Sequence, residues 1–295
     1  MKPLRERAYI PITEQEKGFL HFLYQTRGGR RMLKVITHRA VSKIAGGFVS
    51  TPLSIPLIRP FIRKNKIDMT DCKAQKFSTY NKFFTRELHP EARPIESDPN
   101  ALISPSDGKC TVYPIGEDTA FQVKGALYTV SDLLGGSALA DRYRGGYCLI
   151  FRLCVDDYHR YCYVADGEKD DNHFLTGVLH TVQPIAVGTA EVYKRNCREY
   201  TTIETERFGA VTCVEVGALM VGKIQNHHGA CTVTRGTEKG MFLFGGSTIV
   251  VLVEPGRVEI DDDLLANTAA HRETLVKYGE RVAVALERAA TAGEA

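Results

Sequence analysis

Three short stretches hold residues able to do chemistry: S-P-S-D-G-K (104–109), D-D-Y-H-R-Y-C (156–162) and F-G-G-S-T (244–248). Between them they offer a carboxylate at Asp107, an imidazole at His159 and a hydroxyl at Ser247. Those are the parts needed to activate a weak nucleophile. Each also has an ordinary reading. S-P-S-D-G is good turn chemistry, so Asp107 alone is a turn residue. A lone histidine is more often packed or exposed than catalytic, and Ser247 after two glycines can simply end a bulge. The run F-L-F-G-G-S-T-I-V-V (242–251) is harder to dismiss. Its flanks are aromatic and β-branched and read as strand, yet Gly245 and Gly246 weaken a strand and mark a bulge or a close backbone approach.

The elements that must position these residues change character along the chain. Residues 14–46 read as helical, with a break at Gly28-Gly29, and Pro52, Pro56 and Pro60 make 50–61 an irregular crossing segment. Residues 77–88 suit a helix stopped near Pro90. From Ala101 to Pro255 short apolar runs alternate with Gly, Asn and Asp clusters, without regular βαβ alternation. That texture predicts a mostly antiparallel β core. Residues 262–290 read as a terminal helix, with Asp261 or Asp262 as cap and Leu264, Leu265, Leu275 and Val282 on its apolar face. The expected class is α+β: a helical, basic region over 1–100 and a β-rich catalytic domain over 101–295 that ends in a C-terminal helix.

Length and composition are those of a soluble globular chain, with 295 residues, 43% apolar and 25% charged. No uncharged apolar run approaches 18 residues, so no transmembrane helix is expected. The segment M-K-P-L-R-E-R lacks the apolar stretch of a secretory signal. The eight cysteines have no C-x-x-C spacing, so neither disulfides nor a thiolate metal site is favoured, and His227-His228 reads as an exposed turn. The net charge of +3 hides an asymmetry: residues 1–66 carry fourteen Lys or Arg against three Glu, +11, which leaves −8 on the rest. Such a front end suits an anionic partner. Its apolar stretches at 18–24, 32–36 and 48–62 favour a bilayer over nucleic acid. The ordinary alternative is helices packed on the protein's own core with their charges in water.

Taken in order, the motifs resemble the phosphatidylserine decarboxylases. The match includes Y-N-K-F-F-T-R-E-L with A-R-P-I (80–95), L-I-S-P-S-D-G-K (102–109) and Q-V-K-G-x-x-Y-T-V-x-x-L-L (122–134). D-Y-H-R (157–160), V-E-V-G-A-x-x-V-G-x-I (214–224) and E-K-G-x-F-x-F-G-G-S-T-I-V (238–250) follow. The resemblance implies a pyruvoyl enzyme made by self-cleavage, in which Ser247 Oγ attacks the carbonyl of Gly246. The amide becomes an ester, β-elimination frees Gly246 as a new C-terminus, and the dehydroalanine left at position 247 hydrolyses, with loss of ammonia, to a pyruvoyl group. Two glycines supply the freedom from Cβ crowding that such an attack needs. The substrate amine would condense with the ketone to an imine, and the carbonyl system would accept the electrons released with carbon dioxide. Phosphatidylserine is the implied substrate and phosphatidylethanolamine the product. The implied setting is peripheral, on the cytoplasmic face of the cell membrane against its anionic surface, with no nucleic acid and no metal. A homodimer of cleaved protomers is the candidate assembly.

By the same resemblance Asp107 orients or charges the base in maturation, and His159 transfers protons at the headgroup. Lys124 and Arg160 are weaker candidates for substrate phosphate and carboxylate. Glu215 lies in an apolar strand, where alternation puts it on the solvated face. One departure matters. The family usually reads D-Y-H-R-x-H, and this chain has Cys162 at the second histidine. A thiol with a pKa near 8.5 is mostly protonated at neutral pH. Three readings follow: Cys162 acts as a thiolate, His159 or His180 takes the base role, or self-processing is lost and the chain is a lipid-binding relative. A pyruvoyl decarboxylase of another serine-bearing lipid or a small amino acid is the remaining rival.

Overall fold

A computed structural model describes residues 6–12, 22–23, 26–37, 39–123, 126–136, 138–178, 192–217, 223–243 and 247–286. Gly245, Gly246, Lys124 and His180 lie outside the described residues.

The strand Ser247–Val253, S-T-I-V-V-L-V, is buried at every position. Its unbroken apolar run fits a strand covered on both faces rather than an amphipathic one. It sits between Tyr147–Leu153 and Gly209–Val216, antiparallel to both, with Ser247 opposite Leu153 and Thr248 opposite Val216. The large sheet continues outward from Tyr147–Leu153 to Gly108–Pro114, Arg272–Val276 and Tyr9–Pro11. In the other direction it runs through Arg198–Thr205 to the short strands Gly167–Lys169 and Cys231–Val233. Two three-stranded sheets complete the core. One orders Lys223–Asn226, Glu238–Leu243 and Arg160–Cys162; the other orders Val258–Ile260, Arg281–Ala285 and Ala101–Ile103. Every strand pair among the described residues is antiparallel. The α+β class with a mostly antiparallel β core holds.

Four local expectations need correction. The 262–290 helix stops at Ala269. His271 takes a left-handed φ of 55°, after which Arg272–Val276 and Arg281–Ala285 join two sheets. Pairing with distant strands overrides the local helical spacing of Leu264, Leu265, Leu275 and Val282. Asp261 precedes that helix without a side-chain capping bond; its carboxylate instead meets Arg7 and Arg281. The 50–61 segment is ordered as a 3-10 helix Pro52–Leu57 and a helix Ile58–Asn65; Pro52 and Pro60 fall in first turns, where a proline forfeits no bond that would otherwise form, while Pro56 lies inside the 3-10 helix. The helix expected over 77–88 is only Tyr80–Phe84. Gly28-Gly29 does not break a helix but opens one, Arg27–Ile36, with the Thr26 hydroxyl accepting from the Gly29 amide at 2.9 Å. A Cβ at Gly29 would lie 1.9 Å from the Phe22 carbonyl oxygen, so the glycine serves a close backbone approach.

Glu215 is corrected too. It is fully buried, 2.5 Å from Lys239 Nζ and 3.3 Å from Asn226 Nδ2. Burial raises its pKa, and the Lys239 charge opposes that rise. Alternation fails here because both faces of Gly209–Val216 are covered.

The N-terminal elements form a second layer. Val49, Ile58, Tyr80, Phe83 and Phe84 pack into a small core of their own, and the Ser54 hydroxyl accepts from the Tyr80 amide at 2.8 Å. This layer brings Phe84 against His159, with ring centroids 4.1 Å apart.

Candidate active site

Ser247 is the first residue of the central strand, and its hydroxyl is buried with no hydrogen-bond partner among the described residues. An orphaned buried hydroxyl costs free energy, and its retention suits a group with work to do on its neighbours. The segment S-P-S-D-G, read as turn chemistry, bends at 105–107 and is buried. Ser104 and Ser106 are fully covered and Asp107 is 8% exposed. The Ser104 hydroxyl donates to the Ser106 carbonyl at 2.7 Å, which holds the loop closed. Gly108, at φ 152°, lets the loop enter Gly108–Pro114 where a Cβ would sit 2.8 Å from the Arg152 carbonyl oxygen.

Asp107 is clasped rather than free. Arg93 Nε and Nη2 reach its two oxygens at 2.7 and 2.6 Å, and the Tyr278 amide donates at 2.9 Å. Asp107 leads into Gly108–Pro114, which is separated from Ser247–Val253 by the strand Tyr147–Leu153. Two inter-strand spacings put the backbones of 107–108 and 247 about 10 Å apart. No hydrogen bond among the described residues joins Asp107 to Ser247 or to His159.

His159 is fully buried. Its Nδ1 lies 2.9 Å from the Asp157 carbonyl oxygen, which can only accept, so Nδ1 carries the proton and Nε2 the lone pair of the neutral ring. The His159 carbonyl accepts from the Phe242 amide at 3.0 Å, tying the imidazole to the strand that leads toward position 247. Asp157 itself takes Lys109 Nζ at 3.2 Å and the Cys154 amide at 2.6 Å. Its burial raises the carboxyl pKa against the pull of Lys109.

Cys162 is 1% exposed, its amide bonded to the Pro105 carbonyl at 2.9 Å and its sulfur 3.7 Å from the Ser104 carbonyl oxygen. Burial pushes its thiol pKa well above the ordinary value, against a thiolate. Arg160 neither faces water nor stands open to a substrate. It donates to the Thr85 carbonyl at 3.0 Å and pairs with Glu238 at 2.8 Å and Glu87 at 3.3 Å.

A cleft of about 870 Å³ is lined by Asp107, Gly108, Asp157, Ile95 and Lys277 among others. A smaller cavity of about 180 Å³ lies beside Arg86, Arg93, Asp107 and Asp157. Reading the sequence alone missed Arg86, Arg93, Asp157 and Tyr278. Arg93 and Arg86 lie in motifs already quoted, A-R-P-I and T-R-E-L, but nothing in residue type distinguishes a buried arginine from a solvated one.

A family model described as phosphatidylserine decarboxylase matches residues 80–284. Phosphatidylserine decarboxylase proenzyme 2 of Clostridium acetobutylicum is 43% identical over 270 residues, covering 91% of this chain and 92% of the relative. The phosphatidylserine decarboxylase proenzyme of Clostridium beijerinckii is 37% identical over 272 residues, covering 90% and 92%. That of Ruminiclostridium cellulolyticum is 37% identical over 283 residues, covering 93% and 94%.

Proposed function

The chain belongs to the phosphatidylserine decarboxylase family, and on that premise we propose that it cuts itself between Gly246 and Ser247 and then converts phosphatidylserine to phosphatidylethanolamine. The observation that carries the reading is the buried hydroxyl of Ser247 at the head of the central strand, which has no hydrogen-bond partner among the described residues. The word proenzyme in the relatives' names supports a maturation step.

In maturation, Ser247 Oγ attacks the Gly246 carbonyl carbon as a base removes the hydroxyl proton. The resulting ester breaks by β-elimination, leaving Gly246 with a free carboxylate and position 247 as a dehydroalanine, which takes up water and releases ammonia to give the ketone. His159 is the base we assign, because its Nδ1–H is spent on the Asp157 carbonyl and its Nε2 holds the lone pair. A pyruvoyl group at position 247 supplies a ketone that takes up the substrate amine and accepts the electron pair left by carbon dioxide. The residues fit such a group, since a ketone, unlike the orphaned hydroxyl, leaves no donor unmade at a buried position. His159, once its Nε2 has taken up a proton, delivers it to the old α-carbon, a second task for the same imidazole. Asp107, in the wall of the cleft, holds Arg93 and accepts from the Tyr278 amide, a positioning role.

Peripheral attachment to the cytoplasmic face of an anionic membrane belongs to the same proposal. It is supported by exposed apolar side chains on the N-terminal layer, with Ile44 75% and Leu53 76% exposed. No helix among the described residues is long and apolar enough to cross a membrane.

Intact-mass analysis of the purified chain tests the reading. The expected result is two fragments, 1–246 and 247–295, the second blocked by a ketone, with Ser247→Ala giving one uncut species. A wild-type chain that stays whole and leaves phosphatidylserine unchanged would leave the lipid-binding alternative standing.

A further inference from the structure

We propose that Phe84 is a positioning residue for His159: a ring supplied by the N-terminal layer holds the imidazole in its working orientation. This rests on the reading of His159 as the proton-transfer residue. Both side chains are fully buried, and their ring centroids lie 4.1 Å apart with the planes tilted by 38°. The two neighbouring phenylalanines divide their contacts. Phe83 meets Phe61, Phe77 and Tyr80 edge-on within the layer, at interplanar angles of 76°, 74° and 72°. Phe84 presents its ring to the imidazole across the boundary with the catalytic domain.

Polar bonds next to Phe84 fix where that ring stands. The Thr85 carbonyl accepts from Arg160 Nε at 3.0 Å, and Arg86 Nη2 donates to the Asp156 carbonyl at 3.2 Å. Glu87 meets Arg160 at 3.3 Å. Four consecutive residues of the layer, F-T-R-E (84–87), therefore lie along D-D-Y-H-R (156–160), the segment that carries His159. Apolar cover alone needs none of these bonds. Together they set the ring of Phe84 against one face of one histidine.

The chemistry gives that placement a use. An imidazole side chain turns about two torsions, and the nitrogen it presents depends on both. The Asp157 carbonyl, 2.9 Å from Nδ1, selects the tautomer, and the Phe242 amide holds the His159 carbonyl at 3.0 Å. Neither alone holds the plane of the ring. A flat hydrocarbon face does so, and it offers no donor or acceptor that competes for the proton. One nitrogen must first take a proton and later return it, so a misplacement of about 1 Å can cost about a hundredfold in rate. The layer that exposes Ile44 and Leu53 on its surface thereby also completes the surroundings of the proton-transfer residue.

The imidazole nitrogen resonances of the full-length chain, labelled at histidine, test this without turnover. His159 is assigned by the signals lost in His159→Gln. Wild type should show a single His159 tautomer, protonated at Nδ1. Phe84→Leu, which keeps most of the apolar volume but removes the plane, should show exchange between tautomers. Phe84→Met carries the comparison if Phe84→Leu does not fold. In turnover of phosphatidylserine in detergent micelles, the same variant should lower kcat by about tenfold or more and leave KM unchanged. The assignment is overturned if the variant keeps the wild-type tautomer, or if its kcat equals that of wild type. A fall in kcat without a change in the nitrogen spectrum would mark general loosening of the fold and overturn it as well. A raised KM at unchanged kcat would make Phe84 a lipid contact and not a positioning residue. Because the tautomer is read directly, a chain that neither cleaves nor turns over still tests the contact. An active enzyme whose Phe84→Leu variant matches wild type in both readouts refutes the positioning role alone.

Discussion

A thiol at position 162 has to be judged by its surroundings and not by its type. Cys162 is buried against the Ser104 and Pro105 carbonyls, where a negative sulfur would face oxygen lone pairs with little water to help. Burial therefore raises its pKa, and at neutral pH it stays a thiol. It follows that iodoacetamide near neutral pH should modify the half-exposed Cys231 and leave Cys162 unlabelled in the folded chain, as read by peptide mass. It also follows that Cys162→Ala should self-cleave within about threefold of the wild-type rate, whereas His159→Ala should slow cleavage by roughly a hundredfold or more, the range for loss of a general base. Rapid labelling of Cys162, or normal cleavage by His159→Ala, would move the base away from the imidazole. At this scale the sequence exposed the reactive types, Asp107, His159 and Ser247, because nucleophile chemistry uses few side chains. Arg86, Arg93 and Tyr278 stayed hidden because a charged or phenolic residue becomes functional only once distant elements fold over it.

Elements were legible where local pattern and final pairing agree. The apolar run Ser247–Val253 and the runs at 148–153 and 211–222 read as strands, and the structure pairs the described part of each in the large sheet. The C-terminal segment was misread because its strands owe their existence to partners far away in sequence. Arg272–Val276 pairs with Gly108–Pro114 and Tyr9–Pro11, and buried Glu273 meets Arg152 Nε at 2.9 Å. No window of local sequence contains those partners. The same geometry makes the N-terminal segment part of the catalytic core. Arg7, with a side chain only 6% exposed, joins Asp261 at 2.9 Å, Asp263 at 2.8 Å and Glu280 at 2.8 Å. Removing that cation leaves three crowded carboxylates, of which Asp261 keeps its pairing with Arg281. Arg7→Ala should lower unfolding free energy by about 3 kcal/mol, the scale for breaking a buried ion pair. Urea denaturation followed by circular dichroism would measure this, and a change under about 0.5 kcal/mol, the level of an ordinary surface substitution, would show that the cluster contributes little.

On the scale of the whole molecule, charge and apolar exposure coincide. The basic side chains Arg59, Arg63, Lys64 and Lys66 are exposed in the layer that also exposes Ile44, Phe48, Leu53, Ile55 and Leu57. A soluble protein does not ordinarily gather large apolar side chains on one exposed region. That layer is also the one that carries Phe84 onto His159, so a lipid arriving there is already beside the proposed chemistry. Insertion of apolar side chains and attraction of basic ones are separable contributions. The first survives salt and the second does not. Sedimentation with vesicles of anionic lipid should therefore show two independent losses. Ile44→Asp with Leu53→Asp, both at positions about three-quarters exposed and so harmless to the core, should weaken binding by about tenfold or more at any salt concentration. Raising ionic strength from about 0.05 to 0.5 M should weaken the wild-type chain and the double variant by the same factor. Self-cleavage, which depends on the buried strand and not on this surface, should proceed unchanged in the double variant. Vesicle binding that ignores both the substitutions and the salt would place the lipid-facing surface elsewhere on the molecule.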